Sequence, residues 1–303
     1  MDIILLDGGM GQELVRRSKD PAHPQWSAHV MRSEPEIVQE VHEEYLRAGA
    51  TVLTLNSYSV TRGRFRNLGV EDEFEPLQRR SIDLAKAARD AVGVDATLAG
   101  CLPPLEGSYK PENVSDLGTL TDEYREIVEI EAPDVDVFLC ETMSTSLEAR
   151  AAATAACESG KPVWVAYCLA EKPSDDGAVL LRSGETVDEA FAALDGLPVA
   201  GVLYNCCPPE MIGLGMPRLA ADGRPCGGYA NGFTRIPPEF VMGATVAMLS
   251  ERQDLNPSAY ADHAMGWVEQ GATIIGGCCE VGPAHIAELA RRIGTDGHCA
   301  VAA

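Results

Sequence analysis

The sequence is short of positive charge. Lys and Arg number 24 against 46 Asp and Glu, a formal net charge of −22. A surface of that sign repels phosphate backbones, so no nucleic acid partner is expected. Long apolar runs are also missing. No stretch approaches the roughly 18 residues a membrane span needs, which excludes a transmembrane helix and a membrane partner. The opening segment MDIILLDGGMGQEL has too short an apolar run, and no basic flank, for a secretory signal; a cytoplasmic location is expected. There is no CxxC pair, hence no zinc-finger spacing. Internal repeats and low-complexity tracts are absent. Against these gaps stand ten cysteines in 303 residues. A chain of this length buries about 75% of its unfolded surface and needs no disulfide staples. Without a secretory signal, its thiols point to metal binding or catalysis rather than to cross-links.

Short β-rich runs alternate with amphipathic stretches. The spacing predicts strands over 3–7, 51–56, 97–101, 135–141, 163–168, 199–205, 227–231 and 273–277. Helices are predicted over 36–48, 77–91, 144–159, 187–194, 238–249, 257–269 and 283–292. The first of these, EIVQEVHEEYLRA, sets Ile37, Val41, Tyr45 and Leu46 on one face, with Pro35 at its start and Gly49 after its end. Eight strands each followed by a helix is the pattern of an α/β chain folded as a single (β/α)8 TIM barrel domain over residues 1–303, with a doubly wound open sheet as the alternative. Segments 19–30 and 103–118 read as extended loops.

Polar and sulfur residues gather at the C-terminal ends of these strands. They include Asp7, Asn56, Cys101, Glu141, Asn205 with Cys206, Asn231, and Cys278 with Cys279. In a (β/α)8 barrel those ends share one face, where active sites are built. Adjacent cysteines resist closing on each other as a disulfide. Cys206, Cys278 and Cys279 could thus supply three ligands to a zinc ion and leave its fourth position open; buried inert thiols and redox chemistry are the other readings. Gly276 and Gly277 remove side-chain bulk just before the pair. The GGMG run is not a dinucleotide fingerprint, because Leu14 occupies the last glycine position. A Schiff-base aldolase on the same fold would need a lysine at an inner strand end, and Lys19, Lys86, Lys110, Lys161 and Lys172 are none of them there.

Seven segments carry a family resemblance: LLDGGMGQEL at 5–14, LTLNSYSVTRGRF at 53–65, AGCLPP at 99–104, LCETMSTSLEA at 139–149, VLYNCCPPEM at 202–211, YANGF at 229–233 and GATIIGGCCEVGPAHI at 271–286. Together they resemble the homocysteine S-methyltransferase family along nearly the whole chain. The resemblance implies a (β/α)8 barrel and a Zn2+ cofactor held by Cys206, Cys278 and Cys279, with Cys207 a non-ligand and the other cysteines structural. It implies methyl transfer to the thiol of L-homocysteine, giving methionine. In the family, residues at the positions of Asp7 and Glu141 engage the homocysteine amino group, and the Gly8 backbone N–H is placed for the substrate carboxylate. Asn231 and Tyr229 are expected to line the pocket, and Trp26 and Tyr58 to offer faces to a sulfonium methyl group. No histidine is assigned a catalytic role.

The expected small-molecule partners are therefore homocysteine and a methyl donor. S-methylmethionine is the first choice and S-adenosylmethionine the second. Betaine members of the family carry donor-pocket tyrosines where Ser59 and Thr142 stand here. Methylfolate members carry further pterin and cobalamin domains, for which 303 residues leave no room beside a barrel. A relative acting on another thiol, or a non-catalytic zinc or redox protein, are the remaining alternatives.

Overall fold

The structure is a computed structural model and describes residues 2–237, 239–240 and 244–294. In chain order the elements are β1 (Ile4–Leu5), α1 (Met10–Arg17), α2 (Ser27–Ser33), α3 (Pro35–Arg47), β2 (Val52–Thr54), α4 (Arg62–Leu68), α5 (Phe74–Val92) and β3 (Thr97–Leu102). There follow α6 (Leu117–Glu131), β4 (Val137–Met143), α7 (Ser146–Glu158), β5 (Val163–Tyr167), α8 (Val187–Ala192) and β6 (Gly201–Asn205). The chain continues through α9 (Pro209–Ala220), β7 (Cys226–Tyr229), α10 (Pro257–Glu269), β8 (Ile274–Ile275) and α11 (Pro283–Ile293).

The strands form one parallel sheet in the order β1-β8-β7-β6-β5-β4-β3-β2. A parallel bridge between Leu6 and Val52 joins its two edges, with Asp7 N–H donating to the Val52 carbonyl at 3.1 Å. The ring is thus closed, as the (β/α)8 reading requires. Side chains alternate across it with a period of two. Leu6, Val52, Val137, Leu139, Trp164 and Leu203 pack together inside the barrel. Their neighbours Leu5, Leu53, Phe138, Cys140, Val165 and Tyr204 belong to the larger core between strands and helices. Residues 137 and 139 face inward, so the same alternation turns Glu141 toward the barrel axis at the upper end of β4. Among the described residues no helix is long and apolar enough to cross a membrane.

All eight strands fall within two or three residues of their predicted places. One helical and one loop expectation fail. Over 238–249 no α-helix forms among the described residues; there is a single 3-10 turn at Val246–Met248, while 238 and 241–243 lie outside them. Adjacent prolines at 237 and 238 remove two backbone donors there. Phe240, Ala244, Val246 and Leu249 instead line a cavity at the upper end of the barrel, and Thr234 N–H donates to the Ser250 carbonyl at 2.8 Å. The loop predicted over 19–30 turns helical at Ser27 and continues as α2. Helices α1, α4, α6 and α9 were not anticipated. In α6 the Asp116 carboxylate caps the N–H groups of Gly118 and Thr119 at 3.0 and 3.1 Å. Its buried face includes Glu131 beside Leu120, Tyr124, Ile127 and Val128, which breaks the apolar pattern. That carboxylate accepts from Ser57 Oγ at 2.8 Å and from Cys101 N–H at 3.0 Å.

Candidate active site and metal centre

The upper ends of the strands surround a cavity of about 120 Å³. Asp7 and Gly8 after β1, Glu141 on β4, Tyr229 on β7 and the three cysteines all line it. Residues scattered over 272 positions of sequence therefore share one wall, because parallel strands bring every C-terminal end to the same face.

Cys206 follows β6 with φ of +50°, a left-handed conformation uncommon outside glycine. Three contacts hold it there. Its N–H donates to the Tyr229 carbonyl at 3.1 Å. Its own carbonyl accepts from Asn231 Nδ2 at 2.8 Å. Its sulfur accepts from the Tyr109 hydroxyl at 2.9 Å. Cys278 and Cys279 form the turn after β8, with Cys278 N–H donating to the Ala230 carbonyl at 2.9 Å and Gly232 N–H to the Cys279 carbonyl at 2.8 Å. Cys278 Sγ lies 2.9 Å from Cys206 Sγ, and the three sulfurs all lie within 4.8 Å of one another. The S–H groups of Cys278 and Cys279 converge on Cys206 and hold its thiol well below the ordinary range, while those same hydrogen bonds, with burial, push theirs up.

That donor set fits a soft divalent cation. Zinc–sulfur bonds of about 2.3 Å in a tetrahedron set sulfurs roughly 3.8 Å apart, between the 2.9 Å of the Cys206–Cys278 pair and the 4.8 Å that bounds all three. Gathered thiolate charge on buried sulfur is costly unless a metal compensates it.

Strained backbone is concentrated around this centre. Among the described residues the non-glycine ones with positive φ are Trp26, Tyr109, Thr142, Cys206 and Glu280. Each lines the cavity or follows a residue that does, and strain of this kind persists where a site over-determines it. Thr142 is fixed by the Asn205 carboxamide, whose Oδ1 accepts from its N–H at 2.8 Å and whose Nδ2 donates to its Oγ1 at 2.9 Å. Glu280 accepts from Gln12 and Arg16, each at 2.6 Å. Gln12 in turn accepts from the Trp26 indole N–H at 3.3 Å. The cysteine turn and the indole are thereby linked through one chain of hydrogen bonds.

Two carboxylates face the cavity with little water around them. Asp7 accepts from Thr54 N–H at 2.9 Å and from Thr54 Oγ1 at 3.1 Å. Burial pushes its carboxyl up to about 8; the Thr54 bonds oppose this and the charge of Glu141 adds to it. Glu141 accepts from Cys101 Sγ at 3.0 Å and from the Tyr229 hydroxyl at 3.4 Å. Burial raises it to about 7, against the Cys101 bond. Carboxylates so raised bind a cationic group strongly, because a partner charge replaces the missing solvent.

Trp26 and Tyr58 also line the cavity, edge to face with ring centroids 5.8 Å apart. Asn231 lines a smaller adjoining pocket beside Cys206. Its Nδ2 supports the Cys206 carbonyl and its Oδ1 accepts from Phe233 N–H at 3.2 Å. Among the wall residues that the sequence does not single out are Tyr109, Ser108 and Arg64. The first two sit in the long loop after β3. The available signal was the aromatic beside Gly107, on a loop that the fold places over the site.

Comparison with known proteins agrees with this geometry. The chain is 32% identical to homocysteine S-methyltransferase 4 of Zea mays over 95% of this chain and 89% of that one. It is 27% identical to the selenocysteine Se-methyltransferase of Brassica oleracea var. italica over 95% and 88%. The crystal structure of the metallated homocysteine methyltransferase MmuM from Escherichia coli superposes with a TM-score of 0.79, at 28% identity over 96% of both chains. The family model described as homocysteine S-methyltransferase matches residues 4–293, and the chain belongs to the homocysteine S-methyltransferase family.

Proposed function

We propose that the protein transfers a methyl group from a small sulfonium donor, S-methylmethionine first, to the thiol of L-homocysteine, with Zn2+ held by Cys206, Cys278 and Cys279. The observation that carries this reading is the shared cavity. Three thiols, two desolvated carboxylates and a pair of aromatic faces line one space of amino-acid dimensions. Zinc bound by the cysteines would supply the acidity that makes a substrate thiol a thiolate at neutral pH.

The chain's own residues supply position. Asp7 and Glu141 take the substrate ammonium between them. The Gly8 N–H, at the entry to α1, is free to meet the carboxylate of the same amino acid. In the reaction a bond forms between the homocysteine sulfur and the methyl carbon. The bond from that carbon to the donor sulfur breaks, its electron pair stays on the donor as a neutral thioether, and the thiol proton leaves to solvent. No general base is required once the thiol is ionised, so alignment at about 3–3.5 Å is the main demand on the protein. Trp26 and Tyr58 favour the cationic methyl group by cation–π attraction. The Ser59 hydroxyl is occupied with Ser27 and the Ala28 N–H, each at 3.0 Å, and Thr142 with Asn205, so neither contributes an aromatic wall for betaine. Nine free cysteines among the described residues suit a reducing cytoplasm.

A donor panel tests the proposal. With homocysteine as acceptor, S-methylmethionine should yield methionine fastest, S-adenosylmethionine more slowly and betaine hardly at all. Methionine from none of these donors would overturn it. Selenocysteine belongs in the acceptor arm because relatives methylate it by name.

Trp26 offers a second test. A β-carbon at Gly11 would come within 2.1 Å of the Trp26 ring, so Gly11→Ala must push the indole from its place. The expected result is a donor KM raised about tenfold with homocysteine KM little changed, from one lost cation–π face. Equal changes in both values would show that Trp26 is a loop anchor instead.

A further inference from the structure

Arg64 is a guanidinium without an anion. It lines the same cavity, yet no carboxylate among the described residues pairs with it, and burial disfavours its charge. Its Nε is buried and has no hydrogen-bond partner. One of its outer nitrogens donates to Ser108 Oγ at 3.3 Å, and Ser108 is bonded to the Tyr58 hydroxyl at 2.7 Å. The guanidinium carbon stands 5.8 Å from the centre of the Tyr58 ring. A buried donor on a charged group left unmatched by protein is costly, and such a group calls for a partner from outside. Many other arginines are paired with acids, as Arg17 is with Glu44 at 2.7 Å.

The surroundings say what that partner is. Asp7 and Glu141 form the acidic part of the cavity. Trp26 and Tyr58 form a part suited to a cation without hydrogen bonds to give. Arg64 adds a site for an anion directly beside those rings. A ligand matching aromatic face and guanidinium together is a zwitterion, an onium group and a carboxylate in one small molecule. We infer that Arg64 binds the carboxylate of the methyl donor, and so selects onium donors that are also carboxylic acids. The inference rests on the methyl-transfer reading above and adds the anionic contact to it. Arginine suits this role because its planar fork meets a carboxylate with two parallel hydrogen bonds.

The test varies donor and residue together, on the metal-loaded full chain. Kd for S-methylmethionine and for its carboxamide is measured by calorimetry, and kcat/KM for both by methionine formation. Wild type should prefer the carboxylate about 10- to 100-fold in both measurements, the span of a lost charged hydrogen bond. Arg64→Gln should erase that preference, chiefly through donor KM, while Arg64→Lys keeps part of it. An unchanged preference in Arg64→Gln overturns the assignment, as does a loss falling on homocysteine KM instead. A variant that loses activity equally with both donors but keeps the ratio marks a purely structural arginine and also overturns it. Should wild type bind S-methylmethionine without forming methionine, the transfer reading fails while the binding ratio still decides the role of Arg64. Should it bind no carboxylate-bearing onium, both fail.

Discussion

Cys206→Ser protein should emerge with its metal content reduced from about one ion per chain to near zero, and with methyl transfer lowered by at least about three orders of magnitude. The expectation follows from the size of the ligand set. Three sulfurs from two separate strand ends form the group suited to a metal among the described residues, so removing one leaves two donors and no replacement nearby. A serine hydroxyl is a hard, protonated and weak substitute for a thiolate. Cys278→Ser and Cys279→Ser should behave alike. Cys207→Ser should retain metal, because burial pushes that thiol up to about 12 and it lies outside the sulfur group. Elemental analysis of the four purified variants, with circular dichroism to confirm folding, decides the matter. Full metal retention in Cys206→Ser and Cys279→Ser together would refute the ligand assignment.

The second large effect concerns Asp7 and Glu141, and it has a sign. Their carboxyls titrate at about 8 and about 7, both raised by burial. At neutral pH the free site therefore keeps Asp7 largely protonated and Glu141 about half protonated. An arriving ammonium favours the ionised carboxylates and lowers both values, so binding must release protons. Affinity should then rise with pH from about 6 through 8, as the cost of removing those protons disappears. Methionine is the informative ligand, since it has the ammonium but no thiol and any proton released comes from the carboxyls. Calorimetry in buffers of different ionisation enthalpy should register the release near pH 7, and Asp7→Asn should diminish it. The same substitution should raise homocysteine KM by about 100-fold or more, the cost of leaving a buried charge with one partner fewer. Binding of methionine with no proton change, or with no pH dependence, would remove the carboxylates from the substrate site.

Much of this architecture is legible in the sequence. Asp7 and Glu141 stood out because each ends an apolar strand, and a carboxylate in that position has few structural reasons to exist. Cys206 and the Cys278–Cys279 pair were visible for the same reason. The barrel itself followed from the alternation of short strands and helices. What escaped detection lay where periodicity carries no information. Tyr109 and Arg64 reach the cavity from segments after β3 and β2, and their direction depends on the closed ring. Helix α6 was masked by Glu131 on its buried face. Helix α9 was masked by its internal Pro217 and two glycines. The false helix over 238–249 has the opposite cause. Its apolar residues Val246 and Leu249 face the cavity, so a pattern suited to packing on a barrel serves to cover the site instead.

The central claim reduces to a mass balance. Incubated with homocysteine and S-methylmethionine, the metal-loaded protein should form two molecules of methionine for each homocysteine consumed, one from the acceptor and one from the demethylated donor. Metal-stripped protein should form none until zinc is restored. Homocysteine left unconsumed by the loaded protein, or methionine formed equally well without metal, would contradict the account.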